Sequence, residues 1–281
     1  MKKSIITLLA LTLSLGLTAC GSSSTAEEST SEDGKTVVKV GVVGEYNAQW
    51  DTINELLADD GIEVELVKFT DYAAPNRALN DGEIDLNAFQ HKAFLANDIK
   101  QNGYEIESIG DTIIAPLSIY NNKDKISSVE EIKDGDIIAI PSDLTNGGRA
   151  LKLLEAAGLI ECDPAKGYVP TKADITKYNV QIEILEAESA TLANLLPDCT
   201  AALINGGNAF TAGLNPNEDA IFTEDINPET NAATPDLINV IAARSEDKDN
   251  EVYQKIVEAY QSEETRQTIE ESYQGAFICA W

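Results

Sequence analysis

The segment VVKVGVVGEYNAQWDTINELLADDGIEVELVKF, residues 37–69, decides the fold. It opens on a β-branched run, VVKVGVVG (37–44), that ends in glycine and has the character of a buried strand. Residues 50–58 read as a helix, and IEVELVKF (62–69) alternates as a second strand. Strand, helix and strand in succession form the unit of a parallel α/β sheet. Working outward, Pro75 starts a short helix that runs to Asn80. IDLNAF (84–89) is a third strand, and residues 92–102 read as a helix with Gly103 at its C-cap. YEIESIG (104–110) and IIAPLSIY (113–120) follow as strands.

The alternation then restarts. SSVEEIKDG (127–135) reads as a capped short helix and DIIAI (136–140) as a strand. RALKLLEAAGLI (149–160) reads as an amphipathic helix, with apolar residues at 150, 151, 154 and 157 and Gly158 closing it. Residues 161–179 read as a loop. VQIEIL (180–185), a helix over 190–196 and TAALIN (200–205) complete a second α/β unit. INVIAAR (238–244) is one more strand, and helices over 250–262 and 265–274 finish the chain. Two α/β units and a returning strand predict two lobes, one formed by 37–120 with 235–281, the other by 121–234. A ligand cleft is expected between them, at the C-terminal ends of the strands.

Upstream, Lys2 and Lys3 precede an apolar run from Ser4 to Leu17, which ends in Leu17-Thr18-Ala19-Cys20. A basic start, a short apolar stretch and small residues at the end make a secretory signal over residues 1–19. The run is short for a span of roughly 20 residues. Cys20 after Leu-x-Ala resembles the bacterial lipobox, in which the thiol takes diacylglycerol and cleavage precedes the cysteine. Residues 20–36 hold mostly Ser, Thr, Gly and acidic residues and read as a lipidated flexible tether. The expectation is a globule anchored by lipid at the outer face of the cell membrane.

Without the signal about 260 residues remain, enough for one large or two medium α/β domains. The chain is 43% hydrophobic, so a core is affordable, and it carries a formal net charge of −28. That charge argues against nucleic acid, whose phosphates need a basic face, and against a polybasic grip on anionic lipid. Cys162, Cys199 and Cys279 remain once Cys20 is lipidated. One disulfide plus one free thiol, or three buried apolar thiols, both fit this count. No Cys/His cluster is present, so neither a metal nor a cofactor is implied.

His91, the single histidine, follows the third strand between Phe89 and Phe94, which favours the cleft over a packing role. As a catalytic base it would need a nucleophile and an orienting group, and neither G-x-S-x-G nor H-E-x-x-H occurs. Arg149 follows a Gly-Gly pair and opens the expected 149–160 helix. A cation is unfavourable at a helix N-terminus, whereas an anion there meets both the guanidinium fork and free N–H groups. A bound carboxylate fits that site; the plainer alternative pairs Arg149 with Asp143 at the surface. Asn205 and Asn239 stand at strand positions where Asn is a poor fit, each able to orient a ligand amine or carboxylate; the plainer alternatives are a turn residue for Asn205, in an N-G pair, and a packing role for Asn239. Tyr72, Phe89 and Phe94 could form an aromatic slot or simply core.

Four stretches together resemble the NlpA-type methionine-binding lipoproteins: FTDYAAPNRALNDGEIDLNAFQHKAFL (69–95), IPSDLTNGGRALKLLEAAGLI (140–160), TAALINGGNAFTAGLNP (200–216) and YQGAFICAW (273–281). The resemblance implies a periplasmic binding protein-like fold of type II, with two mixed or parallel-sheet lobes, and capture of methionine for an ABC importer permease. It places Tyr72, Phe89 and His91 in the pocket, pairs Arg149 with the ligand carboxylate, and sets Asn205 and Asn239 on the amino-acid head group. Phe94 and Asn208 stand where the family usually has tyrosine. Against this reading stand a receptor for another small apolar amino acid and an extracytoplasmic enzyme using His91.

Overall fold

The computed structural model describes residues 29–30 and 34–281, so the signal segment, Cys20 and most of the expected tether lie outside the described residues. Ser29–Thr30 pairs antiparallel with Val37 and Thr36, and Thr36–Val43 forms the first long strand. That strand runs parallel to Ile62–Phe69 over its whole length and parallel to Leu86–His91 at Val40 and Gly41. The returning strand Asn239–Arg244 inserts antiparallel between Leu86–His91 and Ile106–Asp111. The first sheet is therefore mixed, because its last member arrives from the other lobe.

The second sheet has the order Glu183–Ala187, Ile137–Pro141, Ala201–Asn205, Leu117–Asn121, Ala220–Thr223. Its first three strands are parallel, and the last two pair antiparallel. Leu117–Asn121 belongs to this sheet, whereas Ile113–Ile114 pairs with Ile278–Cys279 beside the first. The expected strand over 113–120 is thus cut at Ala115-Pro116, since proline cannot donate to a ladder. The chain leaves the first lobe there, not at residue 120.

Each sheet is covered on both faces. Trp50 and Ile53 from the Ala48–Leu57 helix, Ile256 and Tyr260 from Glu251–Tyr260, and Ile269 from Glu263–Tyr273 bury one face of the first sheet against Val38, Val40 and Ile241. Ala78 and Leu79 of the Ala74–Asn80 helix bury the other with Leu95 and Val240. In the second lobe Leu151 and Leu154 pack on Ile138, Ile140 and Leu203, while Leu192 and Ala209 cover Ala139 and Ile204. Cys162 and Cys199 are buried and Cys279 half-buried, all three free thiols.

Several local expectations shift. The helix expected over 149–160 spans Leu144–Ala156, capped by Asp143, whose carboxylate accepts from Asn146 N at 2.9 Å. Gly147 and Gly148 lie inside it because the backbone packs so closely. A Cβ on Gly147 would sit 2.8 Å from the Pro141 carbonyl oxygen, and one on Gly148 2.8 Å from Val169 Cα. The helix expected over 127–135 is a single 3-10 turn, Val129–Glu131, with Glu131 folded back onto Ser127. The loop expected over 161–179 contains a small hairpin, in which Ile160–Cys162 pairs with Ile175–Tyr178.

Candidate functional site

A cavity lies between the two lobes, and all seven residues expected to bind ligand line it: Tyr72, Phe89, His91, Phe94, Arg149, Asn205 and Asn239. Three elements of the first lobe supply the aromatic wall. Phe89 and His91 come from the end of the 86–91 strand, Phe94 from the first turn of the Lys92–Asn102 helix, and Tyr72 from the turn before residue 74. The rings of Tyr72, Phe89 and Phe94 form a triangle with centroid separations of 5.9, 6.0 and 6.0 Å, two contacts edge-on and one tilted. Such spacing is that of favourable ring pairs. Burial raises the Tyr72 phenol well above its usual pKa, so it stays neutral.

His91 joins the two walls. It caps the 92–102 helix, its Nδ1 accepting from Phe94 N at 3.1 Å. With Nδ1 an acceptor, Nε2 carries the proton and donates to Asn146 Oδ1 at 3.2 Å, across the cleft. Burial, followed by the nearby Arg149 charge, lowers the His91 pKa to about 4. The imidazole is therefore neutral, and both of its nitrogens are engaged.

The second lobe supplies the polar wall, centred on Asn146, which the sequence reading passed over. Asn146 Oδ1 also accepts from Asn205 Nδ2 at 2.8 Å, and its own Nδ2 donates to the Asp143 carboxylate at 3.1 and 3.2 Å. One hydrogen of Asn205 Nδ2 is thereby committed, while Asn205 Oδ1 is buried without a protein partner among the described residues. Buried polar atoms of this kind call for an explanation, and here the atom belongs to a cavity-lining residue. The placement of Asn146 three residues before Arg149 was the available signal, since residues spaced i, i+3 share a helix face.

Arg149 lies in the second turn of its helix and not at the N-terminus, so the free N–H groups of that terminus are not beside it. Its partner is Glu224, not Asp143. Nε donates to Glu224 Oε1 at 2.8 Å and Oε2 at 3.0 Å, and Nη2 donates to the same carboxylate and to the Ala115 carbonyl at 3.0 Å. The pair is buried, at 5% and 10% side-chain exposure. Asn239 opens the returning strand directly across from His91.

Tyr46, Gln90, Gly206 and Gly207 also line the cavity and were not foreseen. A Cβ on Gly207 would lie 2.5 Å from the Tyr46 ring, so only glycine lets this tyrosine of the first lobe close onto the second. Gln90 belongs to a buried amide knot with Asn76 and Asn87, and Asn76 also donates to Asp98. Asn76, in the D-Y-x-x-P-N block, thus stiffens the strand that presents Phe89 and His91. Asn208 does not line this cavity; it lies in a neighbouring groove with Thr211. Among the described residues no cluster of His, Cys, Asp or Glu could hold a metal ion, and no helix is long and apolar enough to cross a membrane.

Two α/β lobes joined by chain crossings and closing on a cavity at their strand ends define the class of periplasmic substrate-binding folds. The family model described as NlpA lipoprotein matches residues 38–281, and the chain belongs to that family. The D-methionine-binding lipoprotein MetQ of Salmonella typhimurium is 38% identical over 276 residues, which is 97% of this chain and 96% of the relative. A nutrient binding protein from Burkholderia cenocepacia, solved bound to methionine, superposes with a TM-score of 0.81 at 34% identity, covering 87% of this chain and 100% of that one. The substrate binding protein of a methionine transporter from Streptococcus pneumoniae gives a TM-score of 0.82 at 35% identity, over 88% and 96% of the two chains.

Proposed function

We propose that this protein captures methionine outside the cell and delivers it, chemically unchanged, to the permease of an ABC importer. The carrying observation is the pairing within one cavity of an aromatic triangle with a polar end. Tyr72, Phe89 and Phe94 offer ring faces and edges to a side chain, and Arg149, Asn205 and Asn239 offer groups suited to a zwitterion. A thioether among aromatic rings is favoured by about 0.3–1.5 kcal/mol per contact. The ligand carboxylate goes to the Nη1 edge of Arg149, which Glu224 and Ala115 leave open, and the ammonium goes to Asn205 Oδ1. The methionine-binding names of relatives aligned over nearly the whole chain support this ligand. A catalytic role for His91 finds no support, because its two nitrogens cap a helix and bridge to Asn146.

The anchor in this proposal is a lipid on Cys20, which holds the protein at the outer face of the cell membrane. Cys20→Ser should then release the protein into the medium or the soluble envelope fraction. A variant fully retained and still lipid-labelled would overturn the anchor. For the ligand, mass spectrometry of small molecules released from gently purified protein should find methionine. A different amino acid at stoichiometric yield would overturn the proposal.

A further inference from the structure

We infer that Glu224 is a positioning residue that sets the charge preference of the cavity, making it a site for net-neutral zwitterions and not for anions. This inference rests on the proposed amino-acid ligand and adds to it a residue that does not line the cavity.

The geometry assigns Glu224 two tasks. Its carboxylate grips the Nε–Nη2 edge of Arg149, and the Ala115 carbonyl takes the rest of that edge. A bidentate grip on Nε and Nη2 fixes the guanidinium plane and leaves Nη1 on the side away from Glu224. Glu224 is itself held: its Oε2 accepts from Leu117 N at 3.2 Å, and its own N–H donates to Leu117 O at 3.0 Å. These bonds tie it to the first residue after the 115–116 crossing between the lobes. The arginine is therefore aimed from the crossing itself.

The second task is charge balance. Asp143, the other carboxylate near this end, accepts from the neutral Asn146, Thr145 and Ser189, none of which cancels a charge, and does not touch Arg149. Glu224 is the carboxylate in contact with the guanidinium among the described residues. With His91 neutral, the charges that reach it are those of Arg149, Asp143 and Glu224, so the cavity wall holds no spare positive charge. A carboxylate that arrives with its own ammonium leaves that balance intact. One that arrives alone places an uncompensated negative charge beside Glu224, in a setting where screening by water is weak. The structure thus rejects an anion by the residue behind the arginine, while the arginine still recognises the carboxylate.

The test is a charge series on one side chain: methioninol (cation), methionine (zwitterion) and 4-(methylthio)butanoate (anion), titrated by calorimetry into wild type and Glu224→Gln. In wild type methionine should bind best. In Glu224→Gln, affinity for the anion relative to methionine should rise by about tenfold or more, and that of the cation should fall further. A merely structural role would weaken all three ligands by a common factor and leave the ratios unchanged, and that result would overturn the inference. Glu224→Asp keeps the charge, so its ratios should stay near wild type even as absolute affinity falls; a shift as large as that of the amide would also overturn it. If Glu224→Gln does not fold, wild type and Glu224→Asp still decide, because equal binding of methionine and the anion in wild type would refute charge balance outright. If methionine itself fails to bind wild type, the ligand proposal fails, and the same series built on the amino acid that does bind tests Glu224.

Discussion

The two walls of the cavity are built on different principles. The first lobe contributes rings that touch one another within about one strand and one helical turn, so its wall is a local structure. The second lobe contributes Asn146, Arg149 and Asn205 from two elements, stabilised by Asp143 at the start of the same helix and by Glu224 from a distant strand end. The aromatic wall is apolar and tolerant, since ring contacts change gradually with shape. The polar wall is a network of buried, hydrogen-bonded groups in which Asn205 Oδ1 is left for the ligand in the proposed complex, and such networks respond sharply to a single loss. Affinity is therefore expected to depend steeply on the second wall and gently on the first.

Arg149→Ala should produce the largest change. It removes the proposed partner of the ligand carboxylate and leaves Glu224 as a buried carboxylate without its cation. Binding should weaken by about 2–5 kcal/mol, and stability should drop by about 3–5 kcal/mol. Calorimetry and thermal unfolding of the same preparation read both. Near wild-type affinity in a folded variant would remove Arg149 from the site.

An intermediate effect belongs to His91, which links the walls. Its native pKa of about 4 lies below the ordinary value near 6.5, so the unfolded chain, or an opened cleft that wets the ring, binds the extra proton more readily. Stability from the neutral ring is complete above about pH 6.5 and is lost as pH falls toward about 4, by roughly 3 kcal/mol in all. Unfolding free energies of wild type and His91→Gln, compared at about pH 7.5 and pH 5, should differ in their pH slope by about 2 kcal/mol. Parallel slopes would show that the ring is not held neutral by the fold.

The gentle wall is probed by ligands and not by variants. Glutamine is close to methionine in length, but its amide would be buried without a partner among the rings, costing about 1–3 kcal/mol. Norleucine differs from methionine only in the sulfur–aromatic contact, about 0.3–1.5 kcal/mol. Thermal-shift titration should therefore rank methionine first, norleucine close behind and glutamine far behind. Glutamine stabilising the protein as much as methionine would contradict the aromatic-wall account.

The same contrast explains what was legible in the sequence. Strand–helix alternation revealed both sheets, and Phe89, His91 and Phe94 could be placed because they follow a recognisable strand end. The polar wall was harder to read. T-N-G-G before Arg149 looks like a loop, but it lies inside the helix that Asp143 caps, with both glycines close against Pro141 and Val169, which hid Asn146 and misplaced Arg149 at a helix terminus. Glu224 lies 75 positions from Arg149, at the end of an edge strand, and no periodicity marks it. Likewise the strand over 113–120 read as continuous because its apolar run masks the break at Pro116, where the chain changes lobes. Local patterns report elements and their ends, whereas contacts between distant segments appear only once the sheets are assembled.

The central claim is that this cavity holds methionine by its zwitterionic head and its thioether together. Calorimetric titration of ligand-stripped protein with L-methionine, repeated at several temperatures, tests it most directly. A saturable one-to-one heat with a negative heat-capacity change, as burial of an apolar side chain requires, is the predicted result. No saturable heat with methionine, while the same folded preparation binds a polar or anionic solute one-to-one, would contradict the account.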